Sequence, residues 1–273
     1  VAVTDGRTQP DDRTFVVVQG FRSWIEPFEM QRFALIASVL RARLIVVEVP
    51  GFGVAGSRLL PRERRALLVG DFGPLAARML DAACSVLGEA DHGEPLSFLG
   101  YSMGASVASA MAKTVVGQGR AVADLVFVEP VAWHRWKVRE LIAATRREDR
   151  WIADYVAAND AVDGATAPWD QRRDVRPPTN RRVDLALLAM ALRYGRLARD
   201  LESSPTIARR VIVVRGDRSA LSAARYGSVL AELHRRGTAT AELTVPGHHA
   251  FWHSLEAVDD MARQLKQVLD DLH

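Results

Sequence analysis

Between Leu96 and Val116 a short apolar run, Leu96-Ser97-Phe98-Leu99, passes through Gly100-Tyr101-Ser102-Met103-Gly104 straight into a helix-forming run of small residues. A strand that becomes a helix within one turn leaves few folds open, because the two must pack against each other at once. Glycines two residues before and after Ser102 keep Cβ atoms out of that crossing and tolerate strained dihedrals nearby. The serine between them is lifted clear of the backbone, which is the layout of a nucleophile elbow. At a helix N-terminus, unpaired amides and the helix dipole also stabilise negative charge that develops there. Taken alone, Gly-x-Ser-x-Gly is a weak pattern that also fits a tight turn with a solvated serine, so the rest of the chain has to decide.

The flanking sequence repeats one theme. Thr14–Val18, Leu44–Val49, Leu125–Val128, Val211–Val214 and Ala241–Val245 read as further strands. Helical patterns lie between them at 26–41, 61–87 (with a break at Gly70-Asp71), 102–116, 220–236 and 255–272. Continuous Val/Ile/Leu strands separated by helices indicate an α/β fold, a mostly parallel central sheet with helices on both faces. The alternation stops only between Val131 and Pro205. There the helical patterns 133–156 and 183–201 flank a Pro/Arg/Asp-rich loop at 166–182. The expected organisation is a flexible N-terminus over 1–13, a core over 14–130 and 206–273, and a helical insertion over 131–205.

Composition narrows the function classes. The 273 residues are 48% hydrophobic and 25% charged, enough to bury one large α/β core. The net charge is +3, and both signs are interspersed with no lysine tract, so nucleic acid is not an expected partner. Of the 36 basic residues 33 are arginine, which reads as a bias of the coding sequence, and the arginines of the insertion read as a solvated, ion-paired surface. Cys84 is the only cysteine, which rules out an intramolecular disulfide and a cysteine-based metal site. No run approaches the ~20 apolar residues of a membrane helix, and residues 1–13 lack an apolar signal core. The expectation is a cytoplasmic protein with no metal or cofactor and a small-molecule substrate; a homodimer stays open.

Parallel sheets place their chemistry at the carboxyl ends of their strands. Gln19-Gly20-Phe21, Pro50-Gly51-Phe52-Gly53, Ser102, Glu129, Gly216-Asp217 and Gly247-His248-His249 all fall there. A serine, two acids and a histidine pair thus converge on one edge, in the chain order serine, acid, histidine.

With these motifs in order, the chain resembles the α/β-hydrolase superfamily, in particular its capped esterase, haloperoxidase and C–C hydrolase branch. The resemblance runs from Phe15 to Leu272 and rests on Gly20-Phe21, Pro50-Gly51-Phe52-Gly53, Gly100–Gly104 and Pro246-Gly247-His248. It implies that Ser102 is the nucleophile, that the backbone amides of Phe21 and Met103 form the oxyanion hole, and that 131–205 is a lid. Two such amides would supply ~3–4 kcal/mol each. Gln19 stands where many relatives carry histidine.

Two assignments stay open. His248 is preferred over His249 as the base because it directly follows Pro246-Gly247, while His253 reads as structural. Glu129, at the end of its strand, is preferred as the acid over Asp217, and the absence of a functional acid is the third option. The last option arises because Ser219 and Ala220 occupy the positions where relatives usually carry the acid. Gln19, Phe52, Tyr101, Trp133, Trp136 and Phe251 are expected to line an apolar or aromatic substrate pocket, with Trp151, Tyr155, Trp169, Met190 and Tyr194 as further large side chains of the lid.

The leading expectation is a metal-independent serine hydrolase that cleaves a carboxylic ester through an acyl-enzyme on Ser102. Thioester hydrolysis, acyl transfer and C–C bond cleavage on the same triad are close alternatives. A non-hydrolytic binding protein on the same fold is the alternative from another class.

Overall fold

Strand segments such as Phe15–Val18 and Val211–Val214, made of Val, Ile and Phe, cannot face water on either side, and the middle of the sheet is covered on both. The computed structural model describes residues 1–9, 12–87, 94–159, 180–204, 207–222 and 226–272. Among these, seven strands form one sheet. They are β1 (Ala2–Asp5), β2 (Thr14–Val18), β3 (Arg43–Val47), β4 (Leu96–Tyr101), β5 (Val122–Val128), β6 (Arg210–Gly216) and β7 (Ala239–Val245), in the order β1-β3-β2-β4-β5-β6-β7. Every neighbouring pair is parallel except β1 with β3.

The strand period of two splits the core into two layers. Val16, Val18, Ile45, Phe98, Phe127 and Val213 point to one face. They meet α2 (Pro61–Leu67), α3 (Gly73–Cys84), α4 (Met103–Gly117) and α8 (Gly227–Arg235). Phe15, Val17, Leu44, Val126, Ile212 and Val214 point the other way, against α1 (Pro27–Leu40) and α9 (Leu255–Asp271). The first ten residues of α4 are all buried, and seven of them are Gly, Ala or Ser, small side chains that let a helix lie close to the middle of a sheet.

Between β5 and β6 the chain forms α5 (Val138–Ala158), α6 (Arg182–Leu192) and α7 (Arg196–Glu202). Helix α5 packs on a 3-10 turn at His249–His253, α6 on α2, and α7 on α4 and α8. Residues 160–179, with Trp169 and most of the polar loop, lie outside the described residues, as does Pro205.

Four expectations change. Residues 2–5 are not a flexible tail: they pair antiparallel with 43–46, as a short edge strand whose residues alternate between half-buried and exposed. The helix expected from Trp133 begins at Val138. The Trp136 amide donates to the Arg193 carbonyl and its indole to that of Val131, which holds the intervening stretch as a turn. The helix expected over 183–201 breaks at Gly195, whose backbone passes so close to the His134 carbonyl that a Cβ would lie 2.0 Å from its carbon. The helix expected from Ala220 is observed from Gly227, because residues 219–222 turn toward the insertion.

The order of the sheet decides where chemistry can happen. The chain runs outward from β2 to β3 and then returns to the other side of β2 as β4, so the loops after β2 and β4 leave in opposite directions and open a crevice between them. Phe21 and Ser102 flank that crevice. Gly100 and Gly104 make it passable. A Cβ on Gly100 would sit 2.4 Å from the Gly104 carbonyl oxygen, and one on Gly104 would sit 2.1 Å from that of Val18.

Gly104→Ala therefore forces β2, β4 and α4 apart and is expected to cost ~3 kcal/mol or more. Gly117, at the end of the same helix, has nothing within 4 Å of its would-be Cβ. Gly117→Ala is expected to gain up to ~1 kcal/mol. Urea denaturation of the two variants tests the contrast, and comparable stability of both would contradict the crowded crossing.

Candidate active site

Ser102 ends β4 with φ 55° and ψ −114°, a strained conformation for a residue with a side chain. Its amide donates to the Val128 carbonyl at 2.8 Å, which ties the turn to the end of β5. The next residue of β5's exit, Glu129, also has positive φ, 53°, and its amide donates to Val214 at 2.8 Å. Two adjacent strand ends thus bend away from the sheet and point a hydroxyl and a carboxylate to the same side.

His249 stands between them. Its Nδ1 lies 2.8 Å from Glu129 Oε2, and its Nε2 lies 2.9 Å from Ser102 Oγ. A carboxylate can only accept, so Nδ1 carries the proton and the Nε2 lone pair faces the serine hydroxyl. Glu129 is fully buried. Its other partners are the Gly216 amide, on Oε1, and the Ser219 hydroxyl, 2.5 Å from Oε2. Ser219, at a position where the resemblance implied an acid, donates its hydroxyl to the Glu129 carboxylate. Below the imidazole, the ring of Tyr101 stacks at 5.4 Å, and its hydroxyl donates to the His249 carbonyl at 3.1 Å. Burial, followed by the Glu129 charge, pushes the phenol well above its ordinary pKa, so it stays a donor.

The preference for His248 is corrected by this geometry. Its backbone amide donates to the Tyr155 hydroxyl at 2.9 Å, and Nδ1 lies 3.2 Å from the same oxygen. Its ring stacks on Trp151 at 4.2 Å. The turn through Gly247, with φ 133°, sends residue 248 toward α5 and residue 249 toward Ser102. Asp217 does not reach either histidine. It is half-exposed, accepts from the Gly247 amide at 2.8 Å and pairs with Arg218. That amide, followed by the Arg218 charge, holds its carboxyl below the usual range.

Two further donors are available. Met103 is the first residue of α4, and among the described residues no acceptor takes its amide or that of Phe21. A cavity of about 570 Å³ opens above Ser102 and His249, within the ~300–1,000 Å³ of small-molecule sites. Phe21, Trp24, Leu141, Ile152, Leu192 and Leu221 make it mainly apolar, and Arg22, Arg146, Glu148 and Asp149 add charge.

Of the residues expected to line it, only Tyr101 does so. Gln19 is buried and spans from Trp24 O to Glu29. Phe52 packs edge-on behind Phe21 at 6.1 Å. Trp133 packs against Phe127 and Tyr226 in the core, and Trp136 is buried with its indole donating to Val131. Phe251 belongs to the layer beneath α9. Sequence does not single out Glu148, and it marks Ser219 only as a place without an acid. Both are single polar residues whose partners lie more than 70 positions away.

A family profile described as thioesterase domain matches residues 33–269. No curated protein matches the chain. Among solved structures, the RedJ thioesterase of the prodiginine biosynthetic pathway in Streptomyces coelicolor is 17% identical, with a TM-score of 0.58 over 96% of this chain and 92% of that one. BorB, a type II thioesterase from the borrelidin biosynthetic cluster, is 15% identical, with a TM-score of 0.54 over 98% and 97%. A hyperthermophilic esterase of Pyrobaculum calidifontis is 14% identical, with a TM-score of 0.55 over 98% and 79%. At such identities these likenesses speak for the fold, which is the α/β-hydrolase fold.

His253, on the cavity wall, is pushed down to a pKa of about 3, by burial first and then by Arg32 and His249. It is therefore neutral when folded, while in the unfolded chain it protonates near pH ~6.5. Its contribution is present above that pH and is lost progressively as the pH falls toward the folded value. Urea midpoints at pH 7 and pH 4.5 are expected to fall further for the wild type than for His253→Gln. Equal losses would show that this imidazole is not held neutral.

Proposed function

The chain belongs to the thioesterase-domain family, and from that premise we propose that it hydrolyses an acyl thioester through an acyl-enzyme on Ser102. In this reading His249 is the general base and Glu129 the acid that orients it. The observation that carries the reading is the unbroken hydrogen-bonded line from Ser102 through His249 to Glu129 at the foot of an apolar cavity.

The chemistry follows from the positions. His249 Nε2 takes the Ser102 proton as Oγ attacks the carbonyl carbon of the substrate. The developing oxyanion is met by the free amides of Phe21 and Met103, where α4's positive end also points. Glu129 stabilises the imidazolium without taking its proton. That proton passes to the departing sulfur, the carbon–sulfur bond breaks, and a thiol leaves. Water then gives a proton to His249 and attacks the acyl carbon. The bond to Oγ breaks, Oγ regains the proton, and a carboxylic acid is released.

Sequence alone leads to a carboxylic ester, and family membership moves the reading to sulfur. RedJ and BorB are named as thioesterases of biosynthetic clusters, and a comparable place for this chain is a pathway that carries acyl groups as thioesters. The apolar cavity suits the acyl chain, and the exposed arginines at its mouth suit a polar carrier arm.

A panel of acyl N-acetylcysteamine thioesters and matching oxoesters tests the substrate. The thioesters are expected to give the higher kcat/KM, and a preference for oxoesters would return the reading to an esterase. His249→Ala is expected to lower kcat by ~10³-fold or more, and Glu129→Gln by ~10²–10⁴-fold. His248→Ala and Asp217→Asn are expected to stay within about tenfold of wild type, as changes outside the reacting line. A collapse of Asp217→Asn with Glu129→Gln active would overturn the triad.

A further inference from the structure

Helix α5 is exposed along most of its length, and Arg146, Arg147, Asp149 and Arg150 all face water. Glu148, in their midst, is only 3% exposed. A carboxylate withdrawn from water needs strong compensation. Here it comes from two backbone amides of the core: Oε2 accepts from His249 at 2.9 Å, and Oε1 accepts from Ala220.

Those two amides belong to the loops that complete the catalytic line. His249 bridges Ser102 and Glu129, and Ala220 follows Ser219, whose hydroxyl donates to Glu129. One side chain of α5 thus holds the base and the support of its acid in a fixed relation. The same face of the helix continues the grip. Trp151 stacks on His248, Tyr155 takes the His248 amide, and Asn159 bonds the His253 carbonyl at 2.8 Å and the Leu255 amide at 2.7 Å. Positions 148, 151, 155 and 159 share one helical stripe.

We propose that Glu148 is a positioning residue: by holding the His249 and Ala220 amides together it sets the imidazole in line with Ser102 and Glu129, so that docking of α5 and assembly of the catalytic line are one event. This rests on the serine-hydrolase reading of the site but not on the identity of its substrate. It also assigns α5 a fixed post, since lifting this helix would release the base. Substrate entry then has to use the other walls of the cavity, such as the Phe21–Trp24 loop and α6.

The test compares two buried carboxylates that both anchor the insertion. Asp184 on α6 accepts from the Leu59 amide and pairs with Arg64, away from the catalytic line. Glu148→Gln places an amide donor against one of the two backbone donors, whereas Asp184→Asn disturbs only the anchor. The readouts are the rate at which a fluorophosphonate labels Ser102, the downfield proton resonance of His249 Nδ1–H, and thermal melting.

Glu148→Gln is expected to slow labelling by ~10–100-fold, the scale of an ångström-sized misplacement. The downfield resonance should be lost or broadened while KM for a thioester stays within about threefold. Asp184→Asn is expected to lower the melting temperature with the labelling rate unchanged. If Glu148→Gln does not fold, Glu148→Asp keeps the charge on a shorter arm and is expected to slow labelling by about tenfold. Folded Glu148→Asp or Glu148→Gln protein that labels at the wild-type rate, or an equal loss in Asp184→Asn, overturns the proposal. Wild-type protein that labels rapidly but spares thioesters would instead count against the substrate reading and leave this comparison intact.

Discussion

Glu129 is an acidic side chain with no exposed surface, and the carboxyl edge of the sheet is organised around satisfying it. Its carboxylate accepts from the Gly216 amide at the end of β6, the Ser219 hydroxyl in the loop beyond, and His249 after β7. A buried anion that lost any of these would be left partly unpaired, at a cost of several kcal/mol. The three loops are therefore not free to drift independently. Each is fixed to the others through one side chain, and the positive φ of Glu129 is the strain that aims it. Beyond the glycine of β6 stands Ser219, and its hydroxyl donates to an acidic side chain at the end of the neighbouring strand β5.

Much of this architecture is legible from the chain because it follows from local rules. Apolar runs such as Phe15–Val18 and Val211–Val214 have to be strands buried on both faces, and the small residues after Ser102 have to be a helix pressed against them. The elbow glycines announce a crossing that the structure confirms to within contact distance. What stays hidden depends on turn geometry or on distant partners. The choice between His248 and His249 is one residue wide and is decided by the conformation at Gly247, which composition does not encode. Large aromatics such as Trp133 and Phe52 look like pocket residues in a list of amino acids. Whether they face a cavity or the core depends on how residues 131–137 and 50–54 turn. Residues 2–5 pair as an edge strand because β3 offers them an open side, and nothing within those four residues states that a partner exists.

The carboxyl edge of the sheet is also where regular structure ends and backbone amides lose their ladder partners. Glu48, just past β3, accepts from the amides of Val54 and Ala55, and Asp184 from that of Leu59. Glu129 and Glu148 do the same for Gly216, His249 and Ala220. Acidic side chains thus take over the role of the sheet, ordering loops that have no hydrogen-bonding strand beside them. Such loops can be precise without being regular, as a site assembled from several strand ends requires.

This solution has an electrostatic consequence. Two of these acidic side chains bond the same residue, His249, one at its ring and one at its amide, so acidic groups gather around one imidazole. Arg22 and Arg146, on the cavity wall, supply the counter-charge farther out. The acidic side chains that hold the loops in place therefore also set the surroundings of His249, and neither role can be altered without touching the other.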